Sequence, residues 1–203
     1  MKQEAKQAEI INAAQELFTA YGFEKTTMTD IARRLGISKA ALYYYFSDKE
    51  SIIKSLAIRE QEQFIAEIQT ITTEATSTLE KLLAYATKRI ELLQRHLTLS
   101  SMNLGTYASI KSLFVSILKE FRKQESELVT EIISIGIDKQ EIQTELAAAE
   151  YAELYLDVLM GLRKNAFYSS ERIEMNNLQF EAIKQVKHQS QLFTEIFIKG
   201  ISD

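Results

Sequence analysis

Donors and small side chains gather between positions 27 and 49 at spacings that suit contact with a phosphate backbone and with base edges. Thr27 stands where a helix should begin, because Asp30 follows three residues later and the two side chains can cap each other's amides. A helix N-terminus also favours an anion. Ser38 opens a second short helix whose first turn is Lys39, Ala40 and Ala41. Lys39 can donate to a guanine edge or to a phosphate. The two alanines permit close approach and contact with a thymine methyl, but read little by hydrogen bonds. Tyr43 and Tyr44 follow, within reach of bases or backbone. Successive helical residues point about 100° apart, so at most two of Tyr43, Tyr44 and Tyr45 can face outward and one packs against the first helix.

These residues need rigid supports. Residues 3–21 read as an amphipathic helix, with Gly22 in the position of a left-handed cap and Phe23 free to pack back. Met28, Ile31, Ala32 and Leu35 form the buried stripe of the next helix, which Gly36 ends. Ile37 plugs the turn, and Ser38 caps the helix that runs through Phe46. An S-x-x-E pattern from Ser47 to Glu50 opens a long segment through about Gln69. Two short helices joined by a tight glycine turn are a helix-turn-helix, in which the second helix is held steeply enough to enter a major groove. Leu42 and Phe46 belong to the core. Arg33 and Arg34 suit either a phosphate contact or a solvated helix face.

The stretch FTAYGFEKTTMTDIARRLGISKAALYYYFSDKESI, from Phe18 to Ile52, closely resembles the DNA-binding region of TetR-type (tetracycline-repressor-like) regulators. The matching residues are Gly22, Thr26, Thr27, Ile31, Ala32, Gly36, Ile37, Ser38, Leu42, Tyr43, Tyr45, Phe46, Lys49 and Glu50. The resemblance implies phosphate contacts for Tyr45 and Lys49. It also implies a second helical domain that binds a ligand and dimerises, its last two long helices pairing with those of a second subunit. The expected architecture is therefore all-α, with a helix-turn-helix DNA-binding domain at 1–50 and a larger helical ligand-binding and dimerisation domain at 51–203. The implied function is that of a homodimeric transcriptional regulator, most simply a repressor. It would be released from a pseudo-palindromic operator by a small organic effector.

Composition agrees with the fold class. The chain has no proline, and only six glycines punctuate it, which suits helices. Absent cysteines exclude disulfides, thiolate metal sites and cysteine nucleophiles. Nothing approaches the roughly 18 apolar residues of a membrane span, and no secretory leader is visible, so a cytoplasmic location is expected. The net charge is −4, and residues 1–50 carry seven basic and seven acidic residues. That balance argues against a non-specific DNA coater but permits a local arrangement of donors. Enzyme motifs such as G-x-S-x-G, H-E-x-x-H and phosphate-cradling glycine loops are missing. Neither His96 nor His188 has a partner at metal-ligand spacing, so neither a metal nor a cofactor is expected. A helical interaction protein that has lost DNA binding is the competing reading, supported only by the neutral N-terminal charge.

Farther along, Thr70–Thr78 reads as a linker and about Leu79–Leu99 as a helix. A break falls near Ser100–Thr106, and a long helix ends before Gly136. Helices at 144–167, capped by Thr144, and at about Leu178–Lys199 flank a loop around Tyr168–Asn177. Candidates for an effector pocket are Tyr85, Met102, Tyr107, Phe114, Phe121, Tyr151 and Tyr155, although a stripe at helical spacing is also what ordinary core requires. Two further stripes call for a partner. One is Ala148, Tyr151, Ala152, Tyr155, Leu159 and Leu162; the other is Ile183, Val186, Phe193, Ile196 and Phe197. Gly161 would permit close approach of a symmetry mate.

Overall fold

The computed structural model describes residues 2–99, 104–170 and 175–202, with the side chains of 3–94, 115, 117–164, 181 and 183–202. All regular structure among them is helical, as the composition implies. The elements are α1 (Lys2–Tyr21), α2 (Met28–Leu35), α3 (Lys39–Tyr45), α4 (Lys49–Glu74), α5 (Thr78–Leu99), α6 (Leu104–Asp138), α7 (Ala148–Ser170) and α8 (Met175–Gly200). The chain gathers into two units. One comprises Met1–Glu62 and Arg95–Glu120, the other Gln63–Gln94 and Phe121–Asp203.

The first unit is built on the stripes that the sequence displays. Ile10, Ala14 and Phe18 of α1 share a core with Ile31, Leu42, Phe46, Ile52 and Leu56. Gly22 closes α1 with φ 83°, its N–H donates to the Phe18 carbonyl at 2.9 Å, and Phe23 packs back on Phe18 with ring centroids 5.2 Å apart. The cap of α4 is not Ser47. Asp48 Oδ1 accepts from the Ser51 N–H at 2.6 Å, a stronger charge-assisted cap than a hydroxyl gives.

In the second unit Phe64, Tyr85, Phe121, Tyr155 and Phe197 lie in one core. Phe64 stands edge-on to both Tyr85 and Phe121, at 5.7 and 5.6 Å. The expected linker at Thr70–Thr78 is helical through Glu74. Thr70 and Thr73 return their hydroxyls to the carbonyls of Ala66 and Gln69 at 3.0 and 2.8 Å, so they do not compete with the helix. The signal that starts α5 lies at 77–80, where Ser77 Oγ accepts from the Glu80 N–H at 3.2 Å and Glu80 accepts from the Ser77 N–H at 3.2 Å. Gly105 and Thr106 lie inside α6. Thr144 does not cap α7; its hydroxyl oxygen accepts from the Leu146 N–H at 3.0 Å, before the helix begins.

Gly136 likewise does not end its helix. α6 continues to Asp138, and the left-handed residue that follows is Gln140, φ 61°. Glycine is needed at 136 for space, because an added Cβ would collide with Thr78 Oγ1 and meet Ile142 Cδ1 at 2.9 Å. Thr78 is buried, and its N–H is held by Glu141 at 2.6 Å. Gly136→Ala should therefore lower stability despite alanine's helix propensity. Overpacking costs about 1–3 kcal/mol against a gain of about 1 kcal/mol. A lower urea midpoint at unchanged m-value is the expected result, and a higher midpoint would show that Thr78 yields.

The stripes of α7 and α8 are used mainly inside the chain. Ala152, Tyr155, Leu159 and Phe197 are core, with Ala148, Tyr151, Leu162 and Phe193 packed against it. Val186 and Ile183 pack with Ile90 in a smaller cluster. The stripe expected to meet a partner is thus largely satisfied within the chain. Among the described residues, the large apolar side chains left exposed on these helices are Leu154 (56%), Leu192 (47%) and Ile196 (61%), and the space beside Gly161 is open.

Candidate nucleic-acid interface

The site begins with the capping box at α2. Thr27 Oγ1 accepts from the Asp30 N–H at 3.2 Å and donates to Asp30 Oδ2 at 2.6 Å, while the Thr27 N–H donates to the same oxygen at 3.0 Å. The Thr27 hydroxyl and N–H hold the Asp30 carboxyl below the usual carboxylate range. Thr27 itself is exposed. The next amides, of Met28 and Thr29, have no intrahelical acceptor and are the donors a phosphate would use.

Gly36 ends α2 at φ 64°, its N–H reaching the Arg33 carbonyl at 3.2 Å. Ser38 then caps α3 by accepting from the Ala41 N–H at 3.1 Å. Seven residues make a helix too short to stand alone, and Leu42 and Phe46 anchor it in the core. At 100° per residue, Lys39, Ala40, Tyr43 and Tyr44 share one arc, with Ala41, Leu42, Tyr45 and Phe46 on the other. Burial follows that division. Lys39, Ala40, Tyr43 (45%) and Tyr44 (74%) are exposed, whereas Ala41 and Tyr45 are half-buried. Tyr45 packs against the core, and the Tyr44 ring stands over it at 5.0 Å and 89°. Lys39 Nζ lies 5.7 Å from the Tyr43 ring centroid.

Ala41, Tyr45 and Lys49 do not lie on the exposed arc of α3. Ala41 and Tyr45 turn toward the inner side, and Tyr44 is the most exposed tyrosine of the three. Lys49 spends its ammonium on the chain itself, donating to the carbonyls of Phe23, Glu24 and Thr26 at 2.9, 3.3 and 3.2 Å. The adjacent arginines both meet acids. Arg34 makes two bonds to Glu16 Oε2, at 3.2 and 2.7 Å, and Arg33 reaches Asp30 at 3.4 Å.

Several supports gave no sequence signal because their partners are distant in the chain. Arg59 on α4 donates to Asn12 Oδ1 and Gln15 Oε1 at 2.7 and 3.0 Å, and Gln15 donates to Glu60 at 3.1 Å. These bonds tie α1 to α4, so the helix-turn-helix rides on a braced pair. One further support is local: the Thr26 hydroxyl, buried, donates to the Gly22 carbonyl at 2.9 Å.

Among the pocket candidates, Tyr85, Phe121 and Tyr155 are buried and Tyr151 packs beside them. Tyr85 OH donates to Glu125 Oε1 at 2.6 Å, and Arg89 Nε donates to the same oxygen at 2.5 Å. Burial, then the Glu125 charge, raises the Tyr85 phenol well above its ordinary value, so it remains a donor. The Arg163 guanidinium nearby is pushed down to about 10, chiefly by burial and then by Arg89. Met102 and the side chains of Tyr107 and Phe114 lie outside the described residues.

The profile of the bacterial regulatory proteins of the tetR family matches residues 10–56. The fatty acid metabolism regulator protein of Bacillus subtilis is 30% identical over 156 residues, which span 72% of this chain and 78% of that one. A transcriptional regulator from Cytophaga hutchinsonii superposes with a TM-score of 0.87 at 30% identity, covering 98% of this chain and 99% of that one. FadR from Bacillus subtilis, solved in complex with stearoyl-CoA, shares the fold with a TM-score of 0.62 at 22% identity, over 96% and 98% of the two chains.

Proposed function

Because this chain belongs to the TetR family of bacterial regulatory proteins, we propose that it is a homodimeric repressor whose grip on a pseudo-palindromic operator is relieved by a small organic effector. The observation that carries the DNA-reading half is the exposed α3 arc of Lys39, Ala40, Tyr43 and Tyr44, held at both ends by caps and from beneath by Leu42 and Phe46. Lys39 is the cation on that arc and reads a guanine or a phosphate. Tyr43 and Tyr44 contribute hydroxyls and apolar faces. Thr27 and its neighbouring amides meet a phosphate, while Ala41, Tyr45 and Lys49 act from behind this surface. With so few hydrogen-bonding groups on the arc, sequence preference rests partly on DNA shape.

Exposed Leu154, Leu192 and Ile196 supply the apolar surface for a two-fold interface through α7 and α8, and two heads then address successive half-sites. The effector would shift the population toward a spacing that fits the operator poorly. Likeness to a fatty acid metabolism regulator, and to a FadR solved with stearoyl-CoA, makes a long-chain acyl thioester the first compound to try. Such a protein binds without chemistry, acting as a regulator and not as an enzyme, in the cytoplasm with the chromosome.

The test is selection from a pool of random duplexes at two salt concentrations. A two-fold-symmetric motif whose affinity falls as salt rises supports the reading; no enrichment, with or without stearoyl-CoA, removes it. On the recovered duplex, Lys39→Ala should cost about 1–3 kcal/mol of binding, measured by fluorescence anisotropy. Unchanged affinity and unchanged base preference would take Lys39 out of the interface.

A further inference from the structure

We propose that Lys49 is a positioning residue, a cation clasp that gathers the carbonyls of Phe23, Glu24 and Thr26 and so fixes the turn from which α2 departs. The proposal rests on the DNA-binding reading above and reassigns a residue to which the sequence resemblance gives a phosphate. Residues 22–26 lie between α1 and α2, where no helical ladder satisfies their carbonyls. Side chains serve four of the five, those of Gly22, Phe23, Glu24 and Thr26. Thr26 Oγ1 takes the Gly22 carbonyl at 2.9 Å. Lys49 Nζ takes those of Phe23, Glu24 and Thr26 at 2.9, 3.3 and 3.2 Å and lies 4.3 Å from the centroid of the Phe23 ring. An ammonium has three donors and no more, so one that serves three carbonyls has none left for a phosphate. The clasp ends at Thr26, directly before the Thr27 capping box, and sets where the first amides of α2 stand.

Arginine separates the two roles. A guanidinium is at least as good a phosphate ligand as an ammonium. Its donors diverge in a planar fork, however, and cannot converge on three carbonyl oxygens around one point. Lys49→Arg and Lys49→Met should both weaken binding to the selected duplex by about tenfold, the scale of a few lost hydrogen bonds. The slope of log affinity against log salt should stay at the wild-type value. In the free protein, amide exchange over residues 22–30 should quicken in both variants, with 63–94 unchanged. Wild-type binding by Lys49→Arg would overturn the proposal. So would a slope reduced by about 0.9, the signature of one lost phosphate contact, with exchange over 22–30 unaltered. If the wild-type chain selects no duplex, the DNA reading fails while the exchange measurement still decides the clasp. If Lys49→Met does not fold, Lys49→Arg carries both measurements.

Discussion

Arg89→Met should lower the stability of the protein by about 3–5 kcal/mol, the usual cost of leaving one member of a buried ion pair without the other. The Glu125 side chain is 4% exposed and that of Arg89 13%, so water cannot replace the lost guanidinium. Glu125 Oε1 would keep the Tyr85 hydroxyl at 2.6 Å and lose the Nε–H. Arg89 also stacks on Phe121, 4.9 Å from the ring centroid, and methionine keeps part of that apolar contact. Arg163 acts on the same carboxylate, which places the expected loss toward the lower end of the range. The double variant Arg89→Met, Glu125→Gln should regain a substantial part of the loss, because no charge is then stranded. Denaturant unfolding of both variants checks this. A double variant no better than the single one would mean that the cost came from packing and not from the charge.

Leu42→Ala should cost about 2–5 kcal/mol and should abolish most DNA binding at ordinary protein concentrations. Leu42 is fully buried in a seven-residue helix, with Phe46 as the other anchor. Truncating it removes the contact that makes α3 a rigid platform, and the helix cannot persist on its own propensity. Exchange of α3 amides should accelerate before the rest of the chain responds. Tyr44→Ala is the control, two residues away but 74% exposed. It should change stability by less than about 0.5 kcal/mol, whatever it does to DNA affinity. A Leu42→Ala protein within about 1 kcal/mol of wild type would show that α3 is held by something other than its buried face.

Much of the helix-turn-helix was legible in the sequence, and particular residues show why. The caps at Gly22, Thr27, Gly36 and Ser38 involve partners within four or five residues, and each forms as the local pattern predicts. Leu42 and Phe46 belong to the core by the same short-range logic. Local signals mislead where two of them compete. Ser47 and Asp48 both offer a cap, and the carboxylate took it; Gly136 looked like a terminator and is a point of close packing.

The amino-acid sequence by itself thus determined an all-α chain, its helix-turn-helix and the family to which it belongs. Those features depend on periodicity and on hydrogen bonds between near neighbours, which any window of the chain displays. Only the tertiary structure decided that Lys49 reaches back to residues 23–26, that Arg59 braces α1, and that Arg89 and Tyr85 share Glu125. It alone decided that Tyr44 faces out while Tyr45 turns in, and that most of the α7 and α8 stripes are used within the chain. Each of these depends on which distant surface arrives beside a residue, and that is fixed by packing of the whole core, not by spacing along the chain.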